Sequence, residues 1–99
     1  MANYNFTNKA VEDLSKIWNY TFETWSERQA DTYYQMLIEN CREIAENPDL
    51  GKNYNKVLEN LFGFRAGRHI IFYRKIDINE IEITRILHEQ MDLKNRIIE

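Results

Sequence analysis

One stretch in the C-terminal part of the chain, residues 64–88, constrains the fold more than any other. Its two runs at 69–74 and 81–87 are rich in β-branched and aromatic residues, contain no Pro or Gly, and flank a polar turn with Asp77 and Asn79. Such runs are typical of strands, and a short polar connection between them is typical of a hairpin. The sequence therefore predicts that a β-hairpin forms the centre of the fold.

Alternation along the first run predicts the surroundings of this hairpin. Side chains on a strand point to opposite faces in turn, so the run has two faces, one with Ile70, Phe72 and Ile76 and the other with His69, Ile71 and Tyr73. Both faces are partly apolar, which favours an interior strand covered on one side by helices and on the other by something else. We expect a partner protein to supply part of that second cover.

The N-terminal half predicts one short strand and two helices. Residues 4–6 alternate as a strand does, and Thr7 can cap a following helix. A capping box at residues 26–29 starts a second helix, which must stop near Asn47 because Pro48 disfavours helical geometry in the residue before it. The first helix has apolar residues three and four positions apart, which predicts a stripe packed on the sheet: Ala10, Val11, Leu14, Ile17, Trp18, Phe22 and Trp25.

These elements define the predicted fold class. The joint between the helices is so short that they must form an antiparallel hairpin. Residues 61–65 predict a strand before the β-hairpin, with a bend at Gly67, whereas residues 52–60 predict a loop with at most one helical turn and residues 89–99 a short helix or frayed tail. The prediction is a single α+β domain, residues 1–99, of order β-α-α-β-β-β. The helix hairpin packs on one face of a small, mainly antiparallel four-stranded sheet.

Charge and composition exclude several classes of function. The chain has 13 Lys and Arg against 16 Asp and Glu, and residues 1–60 alone have a net charge of −4, which argues against direct sequence-specific binding of nucleic acid. No window approaches the roughly 20 apolar residues of a membrane span, and the N-terminus lacks a basic start and an apolar core. The lone Cys41 lies within a helical pattern as a small core residue. We expect a soluble cytoplasmic protein without membrane contact.

Few residues are candidates for chemistry. His69 and His88 have no Cys or acidic partner at ligand spacing, and three glycines cannot make a glycine-rich phosphate loop, so neither a metal nor a cofactor is expected. A set of Arg, Tyr and His remains, and it can cleave RNA if His88 or Tyr73 moves protons while Arg65 or Arg85 holds the phosphate. The alternative is structural, since ion pairs inside a fold mimic catalytic ones.

The order of residues across most of the chain resembles a known family. Five segments carry the resemblance: 47–51 (NPDLG), Arg65, 67–74 (GRHIIFYR), 81–88 (IEITRILH) and 91–92 (MD). Together they resemble the ParE branch of the RelE/ParE toxins. Positions in the first helix are similar to that family as well: Thr7, Ala10, Asp13, Leu14, Ile17 and Trp18.

The resemblance implies a function. Members have a β-α-α-β-β-β fold, are encoded beside a small antitoxin that wraps them, and in the ParE branch act on DNA gyrase, with plasmid stabilisation as a role. RelE-like ribosome-dependent nucleases instead resemble one another in a basic surface and in Arg and Tyr side chains after the last strand, where this chain has Glu89, Gln90, Met91 and Asp92. We therefore expect a gyrase inhibitor that works by binding. The alternatives are a ribosome-dependent mRNA endoribonuclease and an inactive relative that acts as a binding module.

An antitoxin would meet the hairpin region, which has a net charge of +2. We expect a ParD-like partner with an acidic, amphipathic tail that orders on contact. The expected partner-binding residues are Arg65, Arg68, Tyr73, Arg74, Arg85 and His88. Strand parity places Arg85 on the apolar row of Ile81 and Ile83 unless a bulge intervenes, in which case its partner is internal.

Overall fold

The computed structural model describes residues 2–98, in which a helix hairpin packs on one face of a five-stranded sheet. Across the sheet the strand order is β1-β5-β4-β3-β2, with β1 parallel to β5 and the other neighbours antiparallel. The predicted α+β fold class is confirmed. In chain order the elements are β1 (Asn3–Phe6), α1 (Asn8–Thr24), α2 (Glu27–Glu46), a 3-10 turn (Pro48–Leu50), β2 (Lys52–Asn53), β3 (Phe62–Ala66), β4 (His69–Asp77), β5 (Glu80–His88) and α3 (Leu93–Ile98).

The sheet has one strand more than the sequence predicts. The extra strand is β2, whose two residues pair with Gly63 and Phe62 of β3 inside the segment predicted to be a loop. The Asn53 side-chain oxygen accepts a hydrogen bond from the backbone N–H of Asn55 (2.7 Å), which turns the chain at the end of the strand. Two exposed polar residues show no alternation, so the sequence pattern could not reveal this strand.

The central hairpin is confirmed, and it contains two irregularities. Thr84 is an extra residue on β5, because Phe72 lies opposite Arg85 while Tyr73 lies opposite Ile83. A second shift at Ile76 adds a residue to β4. The two shifts lie on opposite strands and cancel, so the strands end in the register in which they began.

The core between the helices and the sheet differs from the prediction along α1. Ala10 and Leu14 are buried there against β4 and β5. Val11, Phe22 and Trp25 were predicted to pack on the sheet but are 50%, 47% and 70% exposed. That part of the stripe is wrong. Val11 is one position, about 100° around the helix, from the buried Ala10 and so faces away from the core. Phe22 and Trp25 lie beyond the first half of α1, which contains the buried residues of this helix.

The opposite face of the sheet is covered by the chain itself. Phe72 and Leu87 form a second buried cluster with Leu61 and with Ile97 of α3, and Tyr54 packs edge-on against Phe72 with ring centroids 5.1 Å apart. The prediction that a partner covers this row is therefore wrong for Phe72. The C-terminal segment is a short helix because Ile97 has this apolar surface to bury.

Candidate functional site

Arg85 has an internal partner, as the bulge allows. Its Nε and Nη2 donate to the two carboxylate oxygens of Asp13 (2.8 and 3.0 Å), and its Nη1 donates to the carbonyl oxygen of Arg96 (2.6 Å). Asp13 also accepts the backbone N–H of Ile86 (3.0 Å), beyond the last pair between β1 and β5. Both side chains are about nine-tenths buried. The pair joins α1, β5 and α3, and it engages the Arg85 guanidinium inside the fold.

Tyr73 also has an internal role. The residue is fully buried, and its hydroxyl donates to the carbonyl oxygen of Pro48 (2.5 Å) and accepts the N–H of Gly51 (2.9 Å). A Cβ atom at Gly51 would lie 2.2 Å from that hydroxyl, so only glycine fits there. Burial raises the pKa of Tyr73. Tyr73 therefore holds the loop after α2 and does not reach an external ligand.

The remaining candidate residues lie at the surface. Arg65 is exposed and its Nη2 donates to both carboxylate oxygens of Glu89 (3.1 and 2.8 Å). Arg68 is exposed at the bend between β3 and β4, and Arg74 is exposed on β4. Of the four candidate residues for RNA cleavage, the structure buries Tyr73 and Arg85 in separate internal contacts. Arg65 and His88 lie near one end of the sheet.

That end of the sheet contains a cleft of about 680 Å³, which we call the histidine cleft. It lies between the far half of the helix hairpin and the residues where β4 begins and β5 ends. Twelve side chains line it: Lys16, Ile17, Tyr20, Thr21, Trp25, Gln29, Tyr33, Arg68, His69, His88, Gln90 and Met91.

The two histidines are cross-strand neighbours, and each is hydrogen-bonded through Nδ1. Their ring centroids are 5.3 Å apart and the rings are nearly perpendicular. The Tyr33 hydroxyl accepts the backbone N–H of Arg68 (3.0 Å) and shares a hydrogen bond with Nδ1 of His69 (2.6 Å). Nδ1 of His88 accepts the backbone N–H of Gln90 (3.1 Å). A neutral His88 ring therefore has its proton on Nε2.

Burial controls the protonation of His69. Burial, helped by the neighbouring His88, lowers the pKa of His69 to about 4, although Asp13 and Glu89 act in the opposite direction. His69 is therefore neutral near pH 7. Burial also raises the pKa of Tyr33, so the hydroxyl keeps its proton.

The cleft has the opposite charge to the surrounding helices. Its described lining includes Lys16 and Arg68 but no Asp or Glu, whereas residues 8–46 have four Lys and Arg against eight Asp and Glu, a net charge of −4. Ile17, Trp25 and Met91 add apolar surface. A cleft with cations, N–H donors and apolar walls suits an anionic group carried on an apolar segment.

Sequence reasoning missed most of this site. The sequence predicts His88 and Arg68 as binding residues. It does not indicate His69, Tyr33 or Lys16. One available signal was the register of the hairpin: counting outward from the turn pair Asp77 and Glu80 places His69 opposite His88, as observed. No such count connects Tyr33, which is 36 residues from His69, to the pair.

Within residues 2–98 no three His, Cys, Asp or Glu side chains converge so that they could hold a metal ion. No helix in the same range is both long enough and apolar enough to span a bilayer.

One family of known proteins matches most of this chain. Residues 4–93 match the family model described as the ParE toxin of type II toxin-antitoxin system, parDE. The chain belongs to the ParE toxin family. The resemblance predicted from five sequence segments is thus confirmed, and the match covers both the helix hairpin and every strand but the start of β1.

Individual relatives of this ParE-family chain are similar to it along nearly its whole length. Toxin ParE1 of Mycobacterium tuberculosis is 28% identical over 96 residues, covering 97% of this chain and 98% of the relative. Toxin ParE of Escherichia coli is 28% identical over 97 residues, covering 98% of this chain and 94% of the relative.

Two solved structures share the fold. One is titled a chromosomal ParDE TA system from P. aeruginosa and has a TM-score of 0.75 at 19% identity, covering 89% of this chain and 96% of that chain. The other is the RelBE2 toxin-antitoxin complex from Mycobacterium tuberculosis, with a TM-score of 0.68 at 21% identity, covering 89% of this chain and 98% of that chain. Both the ParE and the RelE types thus have this arrangement of helices and strands.

Proposed function

We propose that this ParE-type toxin inhibits DNA gyrase by binding it in the cytoplasm, without catalysing a reaction, and that a cognate antitoxin neutralises it. The observation that carries the proposal is the ParE family match over residues 4–93. The burial of Tyr73 and Arg85 in internal contacts supports it, since it removes one of the two candidate proton-transfer groups and one of the two candidate phosphate-binding cations from the RNA-cleavage hypothesis.

Induced expression tests the proposal in cells. We expect growth arrest without the antitoxin, together with relaxation of a supercoiled reporter plasmid, because loss of gyrase activity leaves negative supercoils unreplaced. Plasmid topology is read on chloroquine gels before and after induction. Growth unaffected by full expression would favour the inactive binding module, and arrest with normal plasmid topology would favour a target other than gyrase.

RNA cleavage remains a second candidate because two histidines share one cleft. Paired imidazoles can serve as general acid and base if a phosphate lies between them. Primer extension on abundant transcripts after induction distinguishes this candidate. We expect no codon-linked cuts. Cuts that appear in the wild type and vanish in His88→Ala would replace gyrase binding with ribosome-dependent cleavage as the function.

The antitoxin is expected to be ParD-like, with an acidic and amphipathic tail. Solved structures with this fold include toxins from ParDE and RelBE systems, which supports such a partner for this chain. Arg68 and Arg74 are exposed and available to carboxylates, and Arg65 can exchange Glu89 for an incoming acid because its side chain is 69% exposed. Arg85 and Tyr73 no longer belong to this proposed surface.

Charge reversal tests the docking of the antitoxin. Each of Arg65→Glu and Arg74→Glu is expected to raise the Kd of the complex about tenfold by replacing attraction with repulsion. The partner is the product of the reading frame beside the toxin gene, co-purified and then measured by competition. Arg42→Glu is the matched control, since Arg42 is an exposed α2 residue paired only with Glu39 in the described contacts. Unchanged affinity in both test variants would refute docking through these arginines.

A further inference from the structure

The histidine cleft has features that general docking of an acidic tail does not require. Both rings are bonded within residues 2–98 through Nδ1, from Tyr33 and from Gln90. No described contact engages Nε2 of either ring, and Nε2 of His88 carries the proton when that ring is neutral. The two rings lie on neighbouring strands with centroids 5.3 Å apart, close enough for one carboxylate to contact both.

We propose that His69 and His88 form a proton-linked receptor for one carboxylate of the partner segment, with an adjacent apolar side chain of that segment packed against Trp25 and Ile17. The proposal rests on the proposed function, since the segment belongs to the antitoxin. It goes further by naming the site, the chemical group recognised and the dependence on pH.

Charge complementarity supports a peptide carboxylate as the occupant. The cleft supplies Lys16 and Arg68 beside the two imidazoles and no described acid in its lining. A nucleic acid would extend past the cleft onto helices with a net charge of −4, where its phosphates would be repelled. A single carboxylate on an apolar segment gains the local attraction without that repulsion.

Proton linkage follows from the groups around the rings. Facing groups are Asp13 and Lys16 on α1, Tyr33 on α2, Arg65 and Arg68 near the bend, Glu89 after β5 and Arg96 on α3. In the free protein His69 is held neutral by burial and by His88, with a pKa of about 4. A carboxylate at Nε2 stabilises the charged ring and raises this pKa. The bound state then takes up a proton, so binding tightens as the pH falls through the raised pKa towards the value of about 4 in the free protein.

A titration of the toxin alone tests the receptor. The probes are 3-phenylpropanoate and its uncharged amide, 3-phenylpropanamide, followed by ¹H–¹⁵N NMR. We expect the carboxylate to shift resonances of Trp25, His69 and His88, with a Kd in the millimolar range, and the amide to bind at least about fivefold more weakly. The Kd of the carboxylate should fall about tenfold from pH 8 to pH 5.5, and that of the amide should not change.

Variants separate recognition from folding. His69→Gln combined with His88→Gln keeps side-chain N–H donors but cannot take up a proton, so it should bind at pH 8 and lose the dependence on pH. Arg68→Gln changes an exposed position and should weaken binding of the carboxylate at every pH. This variant tests the receptor if the double variant fails to fold. Equal binding of acid and amide, or a pH dependence that survives in the double variant, would overturn the proposal.

Failure of the proposed antitoxin and failure of the receptor give different results. A toxin that binds the carboxylate as expected but forms no complex with the neighbouring gene product would contradict the proposed antitoxin and not the receptor chemistry. A stable complex whose affinity is unaffected by the histidine variants would contradict the receptor alone. Tighter binding of an oligouridylate than of 3-phenylpropanoate at the same resonances would overturn the choice of a peptide carboxylate in favour of RNA.

Discussion

Asp13→Ala is expected to lower the free energy of unfolding by about 3–5 kcal/mol, because it leaves the Arg85 guanidinium buried without its charge partner. The substitution removes three hydrogen bonds at once, two from Arg85 and one from the N–H of Ile86. The total free energy of unfolding of a typical domain is only about 5–15 kcal/mol. Urea unfolding monitored by tryptophan fluorescence measures the change.

The exposed pair between Glu39 and Arg42 provides a matched control. Its shortest distance is 2.5 Å, but its side chains are 64% and 56% exposed. Solvent screens such a pair, so Glu39→Ala should cost at most about 1 kcal/mol. A cost for Asp13→Ala no larger than this would show that the buried pair does not hold α1, β5 and α3 together.

Ile97→Ala is expected to lower the free energy of unfolding by about 2–4 kcal/mol, the usual range for removing a buried aliphatic side chain from a packed cluster. Ile97 is 9% exposed and packs with Phe72 and Leu87 on the face opposite the helix hairpin. The neighbouring Ile98 is 58% exposed, so Ile98→Ala should change stability by less than about 0.5 kcal/mol. Equal effects in urea unfolding would mean that α3 does not cover this face.

The central hairpin was predictable from sequence because both runs combine suitable residue types with a clear turn. Helix boundaries were predictable for a similar reason. Thr7 and Ser26 accept hydrogen bonds from the backbone N–H groups of Ala10 and Gln29 (3.1 Å each), and α2 ends at Glu46 before Pro48. These are local effects, and local residues determine them.

The face that α1 buries was not predictable in the same way. Apolar residues occupy more than one side of this helix, and periodicity alone cannot select among them. Trp18 and Phe22 stack on each other with ring centroids 5.3 Å apart, and the Trp18 N–H donates to Asp31 (3.0 Å). These contacts satisfy the aromatic residues within the helix hairpin. Tertiary packing, which among the described residues of α1 buries Ala10, Asp13 and Leu14, decides the outcome.

The candidate site was predictable only in part. The resemblance to the ParE branch identified the family, and the positive charge of the hairpin region placed the site at this part of the chain. Arg85 shows the limit of the approach, since its charge suggested a partner-binding role while its bulged position gave it an internal one. The cleft itself depends on bringing Tyr33, Lys16 and two strand ends together, which no single segment of the sequence encodes.

A supercoiling assay with purified components tests the central claim most directly. Relaxed plasmid, ATP and DNA gyrase are incubated with increasing toxin, and the topoisomers are separated on agarose. We expect supercoiling to be blocked or cleaved DNA to be trapped as the toxin approaches saturation, and prior addition of the co-purified antitoxin to prevent the effect. Undiminished supercoiling without trapped cleavage at saturating, folded toxin would contradict the account.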